Sequence, residues 1–487
     1  MRLPAQKHLT LGRPLEEAPD PGRVAILLRQ HPGPPCRALV HEGDDVLLGQ
    51  KVGEPESALA APVHASVSGR VEAVEPWPHP DGGEALAVVI ASDGLDRRCP
   101  GLEPAPDPLS LPPAELVSRI REAGIVGMGG AGFPTSAKLD LPAGARIDAY
   151  LLNGAECEPY LTSDHRLLVE RAGTVVRGFL ALMRAVGAPR GLVALERGRH
   201  GAAEALRAAI EAEPALSDPQ SRGAAPHIEV VLLPERYPWG SERHLIRGLL
   251  GRTVPSGCFP VHVGVLVSNV ATAAAVAEAL YLGLPLIRRA VTVSGPGVAR
   301  PSNLWARIGT PAEVLIEHCG GYSAPPARLI LGGPMMGRAQ PTARVPITKT
   351  TSGVLVFTAA EDGREPPPSP CIRCGRCVGA CPMGLLPGVL AELAERGLLE
   401  EADRWHLRDC VECGCCAYVC PAGRPLVQAI RLAKAELAGA GEAVGPRSEP
   451  APAATAGAAG TGTDVAEVKG GRASGGTGAA PGRQGGG

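Results

Sequence analysis

Aromatic residues are scarce: the 487-residue chain holds 4 Phe, 4 Trp and 6 Tyr, 3% of the total. Its cores must therefore be filled by Leu, Val, Ile and Ala. An excess of charge of one sign is also missing. The formal net charge is −2, which offers nucleic acid no bulk attraction. Lysine is rare, 6 against 42 arginines, a bias that carries no functional reading. Long apolar runs are absent. The longest tract, 261–287, is interrupted by His262, Asn269 and Glu278, so it reads as buried soluble elements rather than a membrane span. Residues 1–20 carry Pro4, Glu16, Glu17 and Asp20 where a secretion signal would need an apolar stretch. None of these absences excludes docking onto a membrane complex through partners. The length suggests about three domains as a first expectation.

What is present in unusual measure is cysteine in one short stretch. Cys371, Cys374, Cys377 and Cys381 are followed by Pro382, and Cys410, Cys413, Cys416 and Cys420 by Pro421. This is C-x2-C-x2-C-x3-C-P written twice, the spacing that binds two iron–sulfur clusters in bacterial ferredoxins. Three thiolates at two-residue gaps converge on one face of an iron–sulfide cube, and the fourth cysteine of each run ligates the other cube. The expected sets are Cys371, Cys374, Cys377 and Cys420 for one [4Fe–4S] cluster, and Cys410, Cys413, Cys416 and Cys381 for the other. Structural zinc or disulfides are the alternative, but zinc sites usually take separated cysteine pairs, and two matched sets each ending in Cys-Pro fit them poorly. Cys415 breaks no spacing and is left as a spare thiol. With it, Cys36, Cys99, Cys157, Cys258 and Cys319 read as reduced, cytosolic thiols. Two clusters side by side imply a wire for electrons, and the earlier chain should hold what feeds it.

Short strands are expected at 24–28, 38–40, 46–48 and 86–90. A linker at 100–113 holds six prolines. A helix at 114–123 then enters the glycine-rich stretch 124–139, in which Gly127, Gly129, Gly130 and Gly132 let backbone N–H groups approach an anion or a flat ring, and Lys138 adds positive charge. A glycine-rich surface loop is the plainer alternative, and the spacing matches neither a dinucleotide fingerprint nor a Walker loop. A strand at 150–152 runs into Asn153, Glu156 and Glu158, at the place where open α/β sheets bind ligands; a solvated loop is again the alternative. Helix 164–184, strand 192–196, helix 200–212, strand 228–233, helix 242–250, strand 261–268 and helix 273–282 continue an α/β alternation. Strands at 290–294, 327–331 and 354–357 and a helix at 312–319 follow. The loop 332–337, Gly-Gly-Pro-Met-Met-Gly, reads as a tight turn. After a linker at 366–370, helices are expected at 387–405 and 425–437. The tail from Ala440 has almost no large apolar residue and is expected to be disordered.

Segments 39–50 and 61–71 resemble the two halves of a biotinyl/lipoyl-type barrel-sandwich domain, whose carrier lysine sits at a hairpin tip. Here Lys51 lies between Gln50 and Val52, without the flanking methionines of biotinyl members, so the domain reads as a structural or docking copy. Taken together, the motifs over residues 22–438 resemble the RnfC family, the C-subunits of Rnf electron-transport complexes. Segments 127–138, 153–158 and 269–272 are also similar to the flavin-bearing, NADH-binding subunit of respiratory complex I. That resemblance implies FMN near Gly127, Gly129, Gly130, Lys138, Asn153, Glu156, Asn269 and Thr272. It implies a nicotinamide stacked on the flavin, with Phe133, Glu158 and Glu242 nearby. Where that relative has Arg, Asp, Glu and Asn, this chain has Met128, Ala155, Ser241 and Ser268.

The implied fold is multidomain α/β and α+β. A barrel-sandwich domain occupies 1–105, an α/β FMN/NADH domain 106–287, an SLBB β-grasp module 288–345, a ferredoxin-like domain 346–439 and a disordered tail 440–487. The implied function is electron entry into an ion-translocating NADH:ferredoxin oxidoreductase. NADH would be oxidised through FMN and electrons passed over two [4Fe–4S] clusters towards ferredoxin, or the reverse. The implied place is peripheral, on the cytoplasmic face of the inner membrane, among other Rnf subunits. A microcompartment cobalamin reductase shares this domain plan, and a flavin-free iron–sulfur scaffold is a further alternative.

Overall fold

The structure, a computed structural model, describes residues 1–217, 226–360 and 367–441, without the side chains of 440 and 441. The expectation for the tail lies outside the described residues from 442 on, as does Pro366 at the start of the expected linker.

A four-stranded parallel sheet lies at the centre, in the order His227–Leu233, Arg190–Glu196, Ala149–Gly154, Val265–Asn269. Alternation along its strands explains why both faces are covered. Tyr150, Leu152, Val193 and Leu195 point into one core, against helices Pro113–Glu122, Ala172–Val186 and Val270–Leu282. Leu151, Leu192, Ala194 and Val267 point the other way, against Leu245 and Ile246 of helix Glu242–Leu250. The chain winds outward from Ala149–Gly154 and then returns to add Val265–Asn269 on that strand's other side. That reversal opens a crevice at the carboxyl ends of these two strands.

Two antiparallel sheets form the N-terminal unit. One is ordered Arg23–Leu27, Glu84–Ser92, Gly69–Pro78, Asp45–Val46, and the other Arg37–Ala38, Lys51–Glu54, Val63–His64. Between them Val24, Ile26, Val52, Val63, Val71 and Val88 make a core without an aromatic ring. This is the expected sandwich. Lys51 is not free at a hairpin tip: its ammonium reaches Glu122 at 2.6 Å and Glu54 at 3.2 Å.

A six-stranded mixed sheet runs Leu15–Glu17, Ser302–Arg307, Arg288–Ser294, Gly353–Thr358, Pro326–Leu331, Arg338–Gln340. The expected module boundary at 345 cuts this sheet, because Gly353–Thr358 pairs with both Arg288–Ser294 and Pro326–Leu331. Its strand Leu15–Glu17 comes from the N-terminal segment.

Three expected elements are corrected. The helix expected at 164–184 is two helices, Ser163–Glu170 and Ala172–Val186, because Arg171 leaves the helical region at φ −133° and Gly173 just beyond is a poor helix former. The strand expected at 261–268 begins at Val265, after a 3₁₀ turn Pro260–Val263 closed by Gly264 at φ 70°. The helix expected at 387–405 is split by Gly397, also at φ 70°, into Pro387–Glu395 and Leu399–Arg404. Among the described residues no helix is long and apolar enough to cross a membrane.

Candidate functional site

The crevice is built from strand ends. Asn153 and Asn269 are register partners at the ends of the neighbouring strands Ala149–Gly154 and Val265–Asn269. Asn269 also caps helix Val270–Leu282, its side-chain oxygen accepting the Ala271 N–H at 2.8 Å. Its amide nitrogen donates to Asp164 at 2.6 Å. Burial, and then the charge of Glu156, push the Asp164 carboxyl up to about 7. Asn153 donates to Gly240 O at 2.8 Å and so fixes the turn before helix Glu242–Leu250.

The glycine-rich loop folds over this crevice. Gly127 N–H donates to Phe133 O at 2.8 Å, and Gly132 N–H to Gly127 O at 3.1 Å. Thr272 accepts the Met128 N–H at 2.9 Å. Gly129 lies so close to Asn269 that a Cβ there would be 3.3 Å from the Asn269 Cβ. Gly129, Gly130 and Ala131 are exposed. Among the described residues their N–H groups have no acceptor, which leaves three neighbouring donors for an anion. Lys138 reaches under the loop to Val267 O at 2.7 Å and to Glu242 at 3.4 Å. An ammonium has three protons, so one remains for a ligand. Gly129, Lys138, Asn153, Glu242, Asn269 and Thr272 thus meet at one place.

Glu156 and Glu158 are instead taken up by backbone N–H groups. Glu156 accepts the Asp164 N–H at 2.9 Å and the His165 N–H at 3.4 Å, which satisfies the first donors of helix Ser163–Glu170. Lys7, itself buried, donates to Leu161 O at 2.7 Å and lies 3.9 Å from the Glu156 carboxylate. Glu158 accepts the Met335 N–H at 3.0 Å and the Met336 N–H at 2.9 Å. Burial pushes its carboxyl up to about 7.

Sequence reading passed over two buried cations that hold the loop from behind. Arg289, on a strand of the six-stranded sheet, donates to Met128 O at 3.3 Å. Lys349 donates to Gly124 O at 2.7 Å and to Pro62 O at 2.6 Å. Nothing local in the sequence marks either residue, since each acts on a segment more than 100 positions away.

The cysteine runs fold as matching halves. Arg373 and Glu412 take positive φ, 54° and 55°, and Gly375 and Gly414 follow at 71° and 77°. The Arg373 N–H points at Cys371 Sγ, and the Glu412 N–H at Cys410 Sγ, each at 3.4 Å. Short helices Arg376–Ala380 and Cys415–Tyr418 come next. The thiols divide between two cavities. One, about 610 Å³ and open to solvent, is lined by Cys371, Cys374, Cys377 and Cys420. The other, narrow, is lined by Cys381, Cys410, Cys413 and Cys416. Among the described residues no three His, Cys, Asp or Glu side chains converge as they would on a single metal ion.

The second cavity is the inner one. Cys413 and Cys416 are buried, whereas Cys371 and Cys374 are exposed. The inner half is also the half fastened to the crevice domain. His244, on the helix that Glu242 begins, lies 3.2 Å from Pro382 O. Ser256 donates to Asp409 at 2.5 Å, and Tyr237 OH to Cys413 O at 2.7 Å.

Four segments of the chain match known protein families. Residues 1–95 match the RnfC barrel sandwich hybrid domain, 120–278 the Nuo51 FMN-binding domain, 290–339 the SLBB domain and 370–424 the 4Fe-4S dicluster domain. The chain is 44% identical to the C-subunit of the Na(+)-translocating ferredoxin:NAD(+) oxidoreductase complex of Acetobacterium woodii, over 89% of this chain and 95% of that one. It is 43% identical to the C-subunit of the proton-translocating ferredoxin:NAD(+) oxidoreductase complex of Clostridium ljungdahlii, over 90% and 93%. It is 43% identical to the C-subunit of the ion-translocating oxidoreductase complex of Rhodobacter capsulatus, over 88% and 81%.

Proposed function

Because the chain belongs to the RnfC family, the C-subunits of ion-translocating oxidoreductase complexes, we propose that it is the electron-entry subunit of such a complex. It oxidises NADH at FMN and relays electrons over two [4Fe–4S] clusters towards ferredoxin, or runs in reverse. The flavin supplies the conversion between a two-electron hydride and single electrons. The protein is held at the cytoplasmic face of the membrane by the other subunits.

The chain's own residues divide the work. The free N–H groups around Gly129 and Gly130, with Lys138, suit the FMN phosphate. Gly127, Asn153, Asn269 and Thr272 would hold the loop and the strand ends around the flavin. Glu156 acts from behind, as the acceptor that anchors helix Ser163–Glu170. Phe133 and Glu242 border the nicotinamide. Cys381, Cys410, Cys413 and Cys416 hold the cluster nearer the crevice, and Cys371, Cys374, Cys377 and Cys420 the one nearer solvent.

The observation that carries this reading is a shared element. Helix Glu242–Leu250 offers Glu242 to Lys138 at its start and, through His244, touches the backbone beside Cys381. One rigid helix therefore joins the crevice to the inner thiols. Anaerobic titration of the purified chain with NADH tests the reading, followed by visible absorbance and EPR. Bleaching of a flavin band followed by cluster signals is the expected result. Iron–sulfur absorbance with no flavin and no response to NADH would leave the chain as a conducting scaffold.

A further inference from the structure

The loop 332–337 of the six-stranded sheet lies between the α/β domain and the dicluster domain. Both oxygens of Glu158 are spent on it, through the Met335 and Met336 N–H groups. On its other side, Arg431 of the dicluster domain donates to Met336 O at 2.8 Å. Met335 also packs beside Cys413, Cys415 and Tyr237 in one small buried cluster. The contact is close on both flanks. A Cβ at Gly333 would lie 2.2 Å from a Glu158 carboxylate oxygen, and one at Gly414 would lie 2.7 Å from Met335 O. Tyr237 closes the ring, donating to Cys413 O at 2.7 Å and lying 3.4 Å from Glu158. A turn needed only for its own sheet has no reason to satisfy a buried carboxylate of one domain and press on the cysteine run of another.

We propose that this loop is a spacer that sets the distance between the flavin crevice and the inner cysteine set, with Glu158 and Tyr237 as positioning residues. The proposal rests on the electron-entry reading. It gives Glu158 a place at the joint between domains instead of beside the nicotinamide. The carboxylate is suited to that task because its two oxygens accept two successive backbone N–H groups and fix the loop in orientation as well as position. Electron transfer between the two sites is the step that a displaced joint slows. Hydride acceptance in the crevice does not depend on the loop.

The test uses the full chain loaded with flavin and clusters. Gly333→Ala forces the Glu158 carboxylate off the loop, and Tyr237→Phe removes one hydroxyl and keeps the ring. Flavin bleaching by NADH and iron content per chain should stay at native values in both. In freeze-quench EPR the cluster signals should rise several-fold more slowly in Gly333→Ala, because electron transfer slows as the two sites move apart, and less so in Tyr237→Phe. Native cluster-reduction rates in both variants would overturn the proposal. Loss of iron would overturn it as well, by making the loop part of the cluster domain's own fold. Photoreducing the flavin, in place of NADH, reads the same step independently. A native chain that is silent to NADH but passes photochemical electrons to its clusters would refute the entry reading and leave the spacer standing.

Discussion

Lys349 joins three parts of the chain at one atom. Its ammonium is shared between Pro62 O of the sandwich and Gly124 O at the head of the glycine loop, while its own N–H is taken by Gln30. Burial pushes it down to about 7. The groups that face it are silent near neutrality: His31 is pushed down to about 4, His64 lies well below its usual range, and Cys36 is raised to about 11. A lysine depressed in the folded chain but ordinary in the unfolded one makes folding release a proton between the two values. Its share of stability therefore rises with pH from about 7 towards 10, by at most about 1.4 kcal/mol per pH unit. Denaturation midpoints measured at pH 7, 8 and 9 should climb less in Lys349→Met than in the native chain; parallel profiles would rule the lysine out. Lys138 is the corresponding residue on the side of the loop proposed for the flavin phosphate. Lys138→Ala should lower the flavin retained through gel filtration several-fold, a loss on the order of 1–2 kcal/mol for one charge-assisted contact, and unchanged flavin content would remove it from the phosphate site.

At the scale of elements, the crevice depends on how closely two helices approach. A Cβ at Gly178 of helix Ala172–Val186 would lie 1.7 Å from Ala273 O of helix Val270–Leu282. Backbone blocks the space, so Gly178→Ala must push the second helix away, at a cost of about 1–3 kcal/mol. Because Asn269 and Thr272 sit at the first turn of that helix, flavin content should fall together with stability. Gly173, on the same first helix, has open space around it. Gly173→Ala should raise stability by up to about 1 kcal/mol through helix propensity alone. Equal effects from the two substitutions would deny the packing argument. The same contrast shows what the sequence made legible. Strand and helix positions in the α/β region follow from apolar periodicity and were readable, as was Asn153 at a strand end. Gly397 and Gly264 stood in the sequence as helix and strand breakers, but an apolar pattern running across them masked the breaks. The inward turn of Glu156 and Glu158 was not readable, because the acceptor-poor helix start and the loop 332–337 that claim them come from tertiary packing. The cysteine sets were the most legible feature, since their spacing is local and doubled.

For the whole molecule, the asymmetry between the two cysteine cavities sets an order along the relay. In the inner set Cys413 and Cys416 are buried and Cys381 and Cys410 half-buried, while in the outer set Cys371 and Cys374 are exposed and its cavity opens to solvent. On the proposed electron-entry reading, electrons from the crevice would reach the inner set first, and the outer set is the one an external acceptor could approach. The two sets should therefore fail differently. Cys374→Ala removes or converts the outer cluster; NADH should still bleach the flavin and still reduce the inner cluster, while transfer to a one-electron acceptor protein falls by at least about tenfold. Cys413→Ala strikes upstream, so flavin bleaching should survive while the outer cluster, though present by iron analysis, is no longer reduced by NADH on the same timescale. EPR of both variants after mixing with NADH distinguishes series from parallel wiring. If the outer cluster of Cys413→Ala is reduced as fast as in the native chain, the crevice feeds it directly, and the buried contacts of His244 and Tyr237 with the inner half serve only to hold the domains together.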